Sequence, residues 1–279
     1  MRLFFLTALI MTAFALNSVL TRLALVSDSI GPSNFATLRA GSGALTLILL
    51  VLIIHKKVPR ITYLTAVRGI ALVFYLIGFS FAYLTIDTGI GALILFGGSM
   101  FVMFSGALFL SENVTKVRIL GMALALLGLF ILVDPRFSEN SLYGIVLMLV
   151  ASFGWGLYTI LGHGQKAPLS NTAGNFILAF IFMIPIALVI PDDVEISFYG
   201  FFLAIISGSI TSGVGYALWY SVLPKIKITT ASSAQLSVPL IAALGGYLFM
   251  SEILSWQFYV SSVLILGGIS LPFLSLIHI

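Results

Sequence analysis

Ten apolar stretches, each about as long as a bilayer-crossing helix, follow one another along this chain with almost nothing between them. They fall near 3–26, 32–54, 64–84, 88–110, 115–133, 142–162, 172–190, 197–220, 227–250 and 255–276. The joints are turn sequences, among them Ser27-Asp28-Ser29-Ile30-Gly31-Pro32, Lys56-Lys57-Val58-Pro59-Arg60, Asp134-Pro135-Arg136 and Pro191-Asp192-Asp193. No soluble domain fits between them. Composition agrees: 60% of the 279 residues are hydrophobic and 8% are charged, against about 25% charged in a domain that faces water everywhere. The expected fold class is therefore an all-α integral membrane protein of ten transmembrane helices. The first stretch is longer than the apolar core of a signal peptide and reads as a retained helix.

The net charge of +4 does not point to nucleic acid, because the basic residues form no run or stripe. They are sorted by side instead. The amino terminus and the loops after helices two, four, six and eight hold Arg2, Lys56, Lys57, Arg60, Lys116, Arg118, Lys166, Lys225 and Lys227, while the other loops hold only Arg136. Such a bias places both termini in the cytoplasm of a multi-pass inner-membrane protein. The acidic Asp28, Asp87, Asp134, Glu139, Asp192, Asp193, Glu195 and Glu252 all fall on the opposite side. There is no cysteine, His55, His163 and His278 are isolated, and no P-loop, HExxH or GxSxG pattern occurs. No cofactor or metal is expected. The expected partners are a small-molecule substrate and the lipid bilayer, with no nucleic acid, and the chain is expected as a monomer or weak dimer.

The chain repeats itself. Under a shift of 140 residues, Leu108-Phe109-Leu110-Ser111-Glu112 lies over Leu248-Phe249-Met250-Ser251-Glu252, and seven of the 21 positions from 108 to 128 are identical. Two units follow, 1–136 and 137–279. Five helices per unit is an odd number, so the second unit enters the membrane from the opposite side. Inverted repeats characterise secondary transporters, in which exchanging the conformations of two similar halves turns a cavity from one side to the other. Duplication for structure alone, as in some channels, is the other reading.

These residues resemble the drug/metabolite transporter superfamily, specifically its EamA-type members with two five-helix repeats. The resemblance rests on Phe14-Ala15-Leu16-Asn17-Ser18, on Arg39, on the pairs Ser111-Glu112 and Ser251-Glu252, and on the run Ala231-Ser232-Ser233-Ala234-Gln235-Leu236-Ser237-Val238-Pro239-Leu240. It covers essentially the whole chain and implies a central cavity between the halves, closed alternately on each side, that carries small metabolites without ATP. Two departures make the halves unequal: Ser99 stands where a counterpart of Pro239 would be, and Ala179 where a second Arg39 would be.

Charges inside the bilayer are costly, about 2.5–3.5 kcal/mol at a helix centre, and so are candidates for function. Arg22 lies near the outer end of helix one, where it is expected to snorkel to headgroups. Arg68 is expected among the cytoplasmic basic residues. Arg39 lies deeper, and two readings stand for it: a cavity-facing group or a tie to backbone carbonyls. No carboxylate sits mid-helix. Glu112 and Glu252 read as caps of the helix that follows each, or as end-to-helix contacts, rather than as substrate-binding groups. Pro239 lacks an N–H and would free the carbonyl of Gln235 inside helix nine, making Gln235 a site candidate and Pro239 a hinge. Trp155 and Tyr158 share a helix face, and with Asn17 and Tyr216 are candidates to line a pocket. Packing is the plainer account of each. Trp219 and Tyr220 are expected as interface anchors. Paired glycines such as Gly245-Gly246 suit close helix packing.

The function expected is a secondary transporter or facilitator, in the sense of an exporter, for an amino acid or related anionic or zwitterionic solute. The alternatives are a membrane-embedded enzyme, for which no nucleophile–base pair or carboxylate pair is visible, and a passive channel.

Overall fold

The structure is a computed structural model that describes residues 2–109, 116–132, 139–162, 167–222, 234–235 and 237–274. The described residues form helices and no strand. In chain order they are α1 (Arg2–Val26), α2 (Pro32–His55), α3 (Tyr63–Ala82), α4 (Thr88–Phe109), α5 (Lys116–Leu132), α6 (Glu139–Gly162) and α7 (Pro168–Val189). They continue with α8 (Phe198–Val222), α9 (Val238–Met250) and α10 (Trp256–Leu274). Six of these, α1, α2, α3, α6, α7 and α8, contain segments long and apolar enough to cross a membrane, while α9 and the Thr88–Met103 part of α4 are shorter apolar helices. Several starts are written in the sequence: Pro32 and Pro168 occupy the first turns of α2 and α7, where a missing N–H removes no bond. Thr62 and Thr65 form a reciprocal capping box at the start of α3.

The helices interlock across the chain's midpoint. The most extensive pairings are α5 with α10, α3 with α6, α2 with α8, α4 with α6, α2 with α7 and α1 with α8, followed by α3 with α7 and by α9 with α4 and α1. Close approach depends on small residues. A Cβ on Gly154 would press into the backbone of Ala71 and Tyr75, so α3 and α6 meet nearly backbone to backbone there. The middle of α8, Ser207–Val214, is wound as a π-helix. Such widened turns free backbone groups and concentrate at functional sites.

One end of the bundle is tied by side chains that bridge distant loops. Asp192, from the α7–α8 loop, accepts the backbone amides of Ser33 at 3.1 Å and Asn34 at 2.7 Å in the first turn of α2, where a carboxylate is favoured by the helix dipole. Ser197 N–H donates to the Ser29 carbonyl at 2.9 Å beside it. Glu252 does the same for α4, accepting Thr88 N–H at 2.9 Å. Ser251 takes a left-handed conformation after α9, with φ of 55°, and the Glu252 N–H bonds back to the Gly246 carbonyl at 3.2 Å. That turn aims Glu252 at α4. The Ser-Glu pair therefore contacts a helix end, but the N-terminus of α4 rather than the helix that follows it. Its counterpart Ser111-Glu112 lies outside the described residues.

Three expectations are corrected. Arg22 does not snorkel: it pairs with Glu252 at 3.3 Å and with Asp87 at 3.5 Å and donates to the Tyr83 carbonyl at 2.7 Å. Buried acceptors at hydrogen-bond range outcompete a headgroup reached by an extended chain. Trp219 is no interface anchor, because its ring is buried against Phe14 at 6.0 Å between centroids, and Tyr220 packs against the same core. Pro239 does not stand inside a helix where the structure describes it. It stands in the first turn of α9, so its missing N–H falls where no intrahelical partner was due. Residues 223–233 and 236 lie outside the described set.

Candidate functional site

The deep charge and the deep aromatics come together. On α1, Phe14, Asn17 and Ser18 share one face by helical spacing. Tyr75 and Phe79 on α3 and Trp155 and Tyr158 on α6 are spaced to do likewise, as are Ser212 and Tyr216 on α8. These faces converge. Trp155 packs edge-on against Tyr216 at 5.4 Å and lies 5.3 Å from Tyr75, and Phe14 meets Tyr216 at 5.6 Å and Trp155 at 6.4 Å. Trp155 also stacks on Tyr158 at 5.9 Å, and the Tyr158 hydroxyl accepts from Asn175 Nδ2 at 3.2 Å.

Arg39, on α2, is fully buried. Its Nε donates to Ser212 Oγ at 3.1 Å and its Nη2 to the Tyr75 hydroxyl at 2.8 Å, while the guanidinium lies over the Phe79 ring at 4.9 Å and the Tyr75 ring at 5.2 Å. The expected tie to backbone carbonyls is not what holds it: hydroxyls and ring faces do. Nη1 has no partner, and among the described residues no carboxylate pairs with Arg39, since the ion pairs there belong to Arg22.

Asn17 is the hub on the other side of Ser212. Its Oδ1 accepts the hydroxyls of Ser207 at 3.0 Å, Thr211 at 2.5 Å and Ser212 at 3.2 Å, all from the π-helical segment. Ser212 thus links Arg39 to Asn17. Next to Asn17 and to the two rings that hold Arg39 lies a cavity of about 10 Å³ lined by Phe14, Asn17, Ser18, Tyr75, Phe79, Leu95, Phe96, Trp155 and Tyr216. That is room for about one water and for no organic solute, so the centre is closed in this conformation. Trp155 Nε1, on its wall, is a buried polar atom without a partner, while the Ser18 hydroxyl beside it faces the Tyr83 phenol. Buried donors are nearly always satisfied in proteins, and two orphans in one neighbourhood, Arg39 Nη1 and Trp155 Nε1, call for an acceptor.

Of the six candidate binding residues, the fold brings Asn17, Arg39, Trp155, Tyr158 and Tyr216 into one connected cluster. Gln235 is not joined to them by any described contact. It is half-buried in the two-residue helical fragment at 234–235, next to residues outside the described set. Sequence reasoning missed Tyr75, Phe79, Asn175 and the hydroxyls of Ser207, Thr211 and Ser212. A run such as Ser207-Gly208-Ser209-Ile210-Thr211-Ser212-Gly213 inside a spanning segment was the available signal, since hydroxyls in lipid need partners.

The chain matches known proteins over most of its length. It is 40% identical to an uncharacterized protein of Pseudomonas aeruginosa across 95% of this chain and 92% of that one. It is 23% identical to a probable amino-acid metabolite efflux pump of Escherichia coli, again across 95% and 92%. It is 26% identical to a threonine/homoserine exporter of Salmonella typhimurium, covering 72% of this chain and 66% of that one. A solved crystal structure superimposes with a TM-score of 0.67 at 16% identity, over 95% of this chain and 96% of its own. The sequence model of the EamA-like transporter family matches residues 142–274. With these relatives and its several membrane-crossing helices, the chain is a multi-pass membrane protein and belongs to the EamA-like transporter family.

Proposed function

We propose that this chain carries a small organic solute bearing a carboxylate, of the amino-acid kind, outward across the cell's inner membrane by alternating access around Arg39. The observation that carries the reading is the burial of a guanidinium with one nitrogen orphaned and no counter-ion among the described residues. An unpaired buried charge is among the costlier features a fold can keep, and in a membrane it marks a substrate or ion site. A carboxylate accepting from Arg39 Nη1 and Trp155 Nε1 would supply what is missing, and the surrounding rings suit the solute's apolar body. The names of the amino-acid metabolite pump and the threonine/homoserine exporter point the same way.

The architecture we propose is ten spans in two inverted five-helix units, 1–136 and 137–279, with both termini cytoplasmic. The pairing pattern supports it. Exchange each helix for the one five places on, and α3–α6 becomes α8–α1, α4–α6 becomes α9–α1, α3–α7 becomes α8–α2, while α2–α7, α4–α9 and α5–α10 map onto themselves. A two-fold axis in the membrane plane has this consequence. Asp192 and Glu252 then latch the outer side, each reaching from the second unit to a helix start in the first.

The test is uptake of radiolabelled amino acids into inside-out membrane vesicles, with wild type and Arg39→Met. Removing an unpaired buried charge relieves its desolvation cost and leaves no counter-ion uncompensated, which offsets the bond that the Tyr75 hydroxyl loses. The variant should therefore melt at or above the wild-type temperature with transport abolished, and Arg39→Lys, which loses the planar fork, should transport weakly. A lower melting temperature with transport per folded molecule unchanged overturns the reading. Flux without saturation or trans-stimulation would make the protein a channel.

A further inference from the structure

A larger cavity opens at the opposite end of the bundle from Asp192 and Glu252. It has a volume of about 770 Å³ and lies where the end of α2, the start of α7 and the end of α8 splay apart. Its floor is apolar, formed by residues such as the buried Val51 of α2 and the half-buried Ala217 and Leu218 of α8. Its rim is not. His55, Lys57 and Arg60 stand there, with Ser170 and Asn171 in the first turn of α7. None of the residues lining the cavity is acidic. The positive end of the α7 dipole faces the same rim, and no side chain caps it. A sidedness rule accounts for cations at this end of the chain. It accounts equally for the lack of carboxylates there, but not for the concavity behind the cations.

The back of the groove is one side chain from the central cluster. Tyr220 lines the groove, packs on the core, and interacts through its phenol with that of Tyr158. Tyr158 stacks on Trp155, and Trp155 forms the wall of the closed cavity beside Arg39. A line of three aromatic side chains thus separates a cationic vestibule from a buried cation.

We infer that this groove is the access vestibule of the transport path, a water-filled funnel that gathers solutes bearing a carboxylate or phosphate at Lys57 and Arg60 and passes them to Arg39 when Tyr220 moves aside. The inference rests on the transport reading above and adds the route and the gate. Its physics is local: a concave site with walls of low dielectric and charges of one sign focuses the field and raises the local concentration of counter-ions. The effect fades as salt shortens the Debye length to about 3 Å at 1 M.

The chain has no cysteine, so introduced thiols report without background. Ala217→Cys, on the groove wall, is reacted from the Lys57 face of oriented vesicles with an anionic sulfonatoethyl and a cationic trimethylammonioethyl methanethiosulfonate, each scaled to its rate with 2-mercaptoethanol. The anionic reagent should react roughly tenfold faster. The preference should collapse in high salt and vanish in Lys57→Gln/Arg60→Gln, whose changes fall on exposed side chains. Exposed Ser221→Cys on the same wall serves if Ala217→Cys does not fold. For the gate, Ser18→Cys in the central cavity should be modified several-fold faster from this face once Tyr220→Ala is introduced. Equal rates for the two reagents, or a cysteine that reacts from neither face because lipid fills the groove, overturns the vestibule. An unchanged rate at Ser18→Cys overturns the gate. These readouts need no substrate, so their failure is distinct from failure of the Arg39 transport assay.

Discussion

The Glu252 carboxylate accepts both the backbone amide of Thr88, at 2.9 Å, and its hydroxyl, at 3.0 Å. One side chain from the α9–α10 loop therefore satisfies the start of α4, a helix more than 160 residues away in the chain. Arg22, from the end of α1, pairs with the same carboxylate. Three elements that have no local reason to meet are held by one ionisable group.

That group should make stability depend on pH. Burial pushes the Glu252 carboxyl above its ordinary value of 4.5, and Asp87 adds to the rise, against the hydrogen bonds from Thr88 and the charge of Arg22. Between the ordinary value and the raised one, the folded protein keeps a proton that the unfolded chain has released. Stability is then greater at low pH and declines as pH rises through the folded value. The melting temperature of the wild type should fall over that interval, and Glu252→Gln, which cannot ionise, should flatten the slope. A slope unchanged in Glu252→Gln would overturn the assignment of the dependence to this carboxylate.

Asn17 should matter to folding as well as to the site. Asn17→Ala strips the hydroxyls of Ser207 and Ser212 of their described acceptor, while Thr211 keeps the Ser207 carbonyl at 2.9 Å. A buried group left unsatisfied costs about 1–3 kcal/mol, readable as a lower melting temperature. Asn17→Asp preserves the acceptor and places a negative charge one hydroxyl from Arg39. It should melt near the wild-type temperature and yet transport no anionic solute, because the site then contains its own counter-ion.

The meeting of α2 and α8 should tolerate no added carbon. A Cβ at Gly208 would run into the Ser42 hydroxyl and the Arg39 backbone. Gly208→Ala should therefore destabilise by about 1–3 kcal/mol and shift Arg39 relative to Ser212, lowering transport per folded molecule. Gly267, with nothing within 4 Å of the added carbon, is the control. Gly267→Ala should be neutral or stabilising by about 0.5–1 kcal/mol, as expected for a helix interior. Equal melting temperatures for the two variants would contradict the close packing of α2 on α8.

What the residues alone determined follows from rules that act locally. A run of apolar residues of bilayer length must be helical, because lipid offers backbone groups no partner. The all-helical class and the membrane location were therefore legible before any coordinates. Helical period put Trp155 and Tyr158 on one face, and the expense of a charge in lipid singled out Arg39. The inward direction was another matter. In a soluble protein, hydrophobicity separates core from surface. Here lipid and core are equally apolar, so nothing in the sequence said whether Trp219 faced headgroups or Phe14. Nor did chain order say that Arg22 would find Glu252 rather than water. Only tertiary packing decided those directions, through partners far apart in the chain and through close approaches such as Gly208 against Arg39 that the shapes of the helices permit.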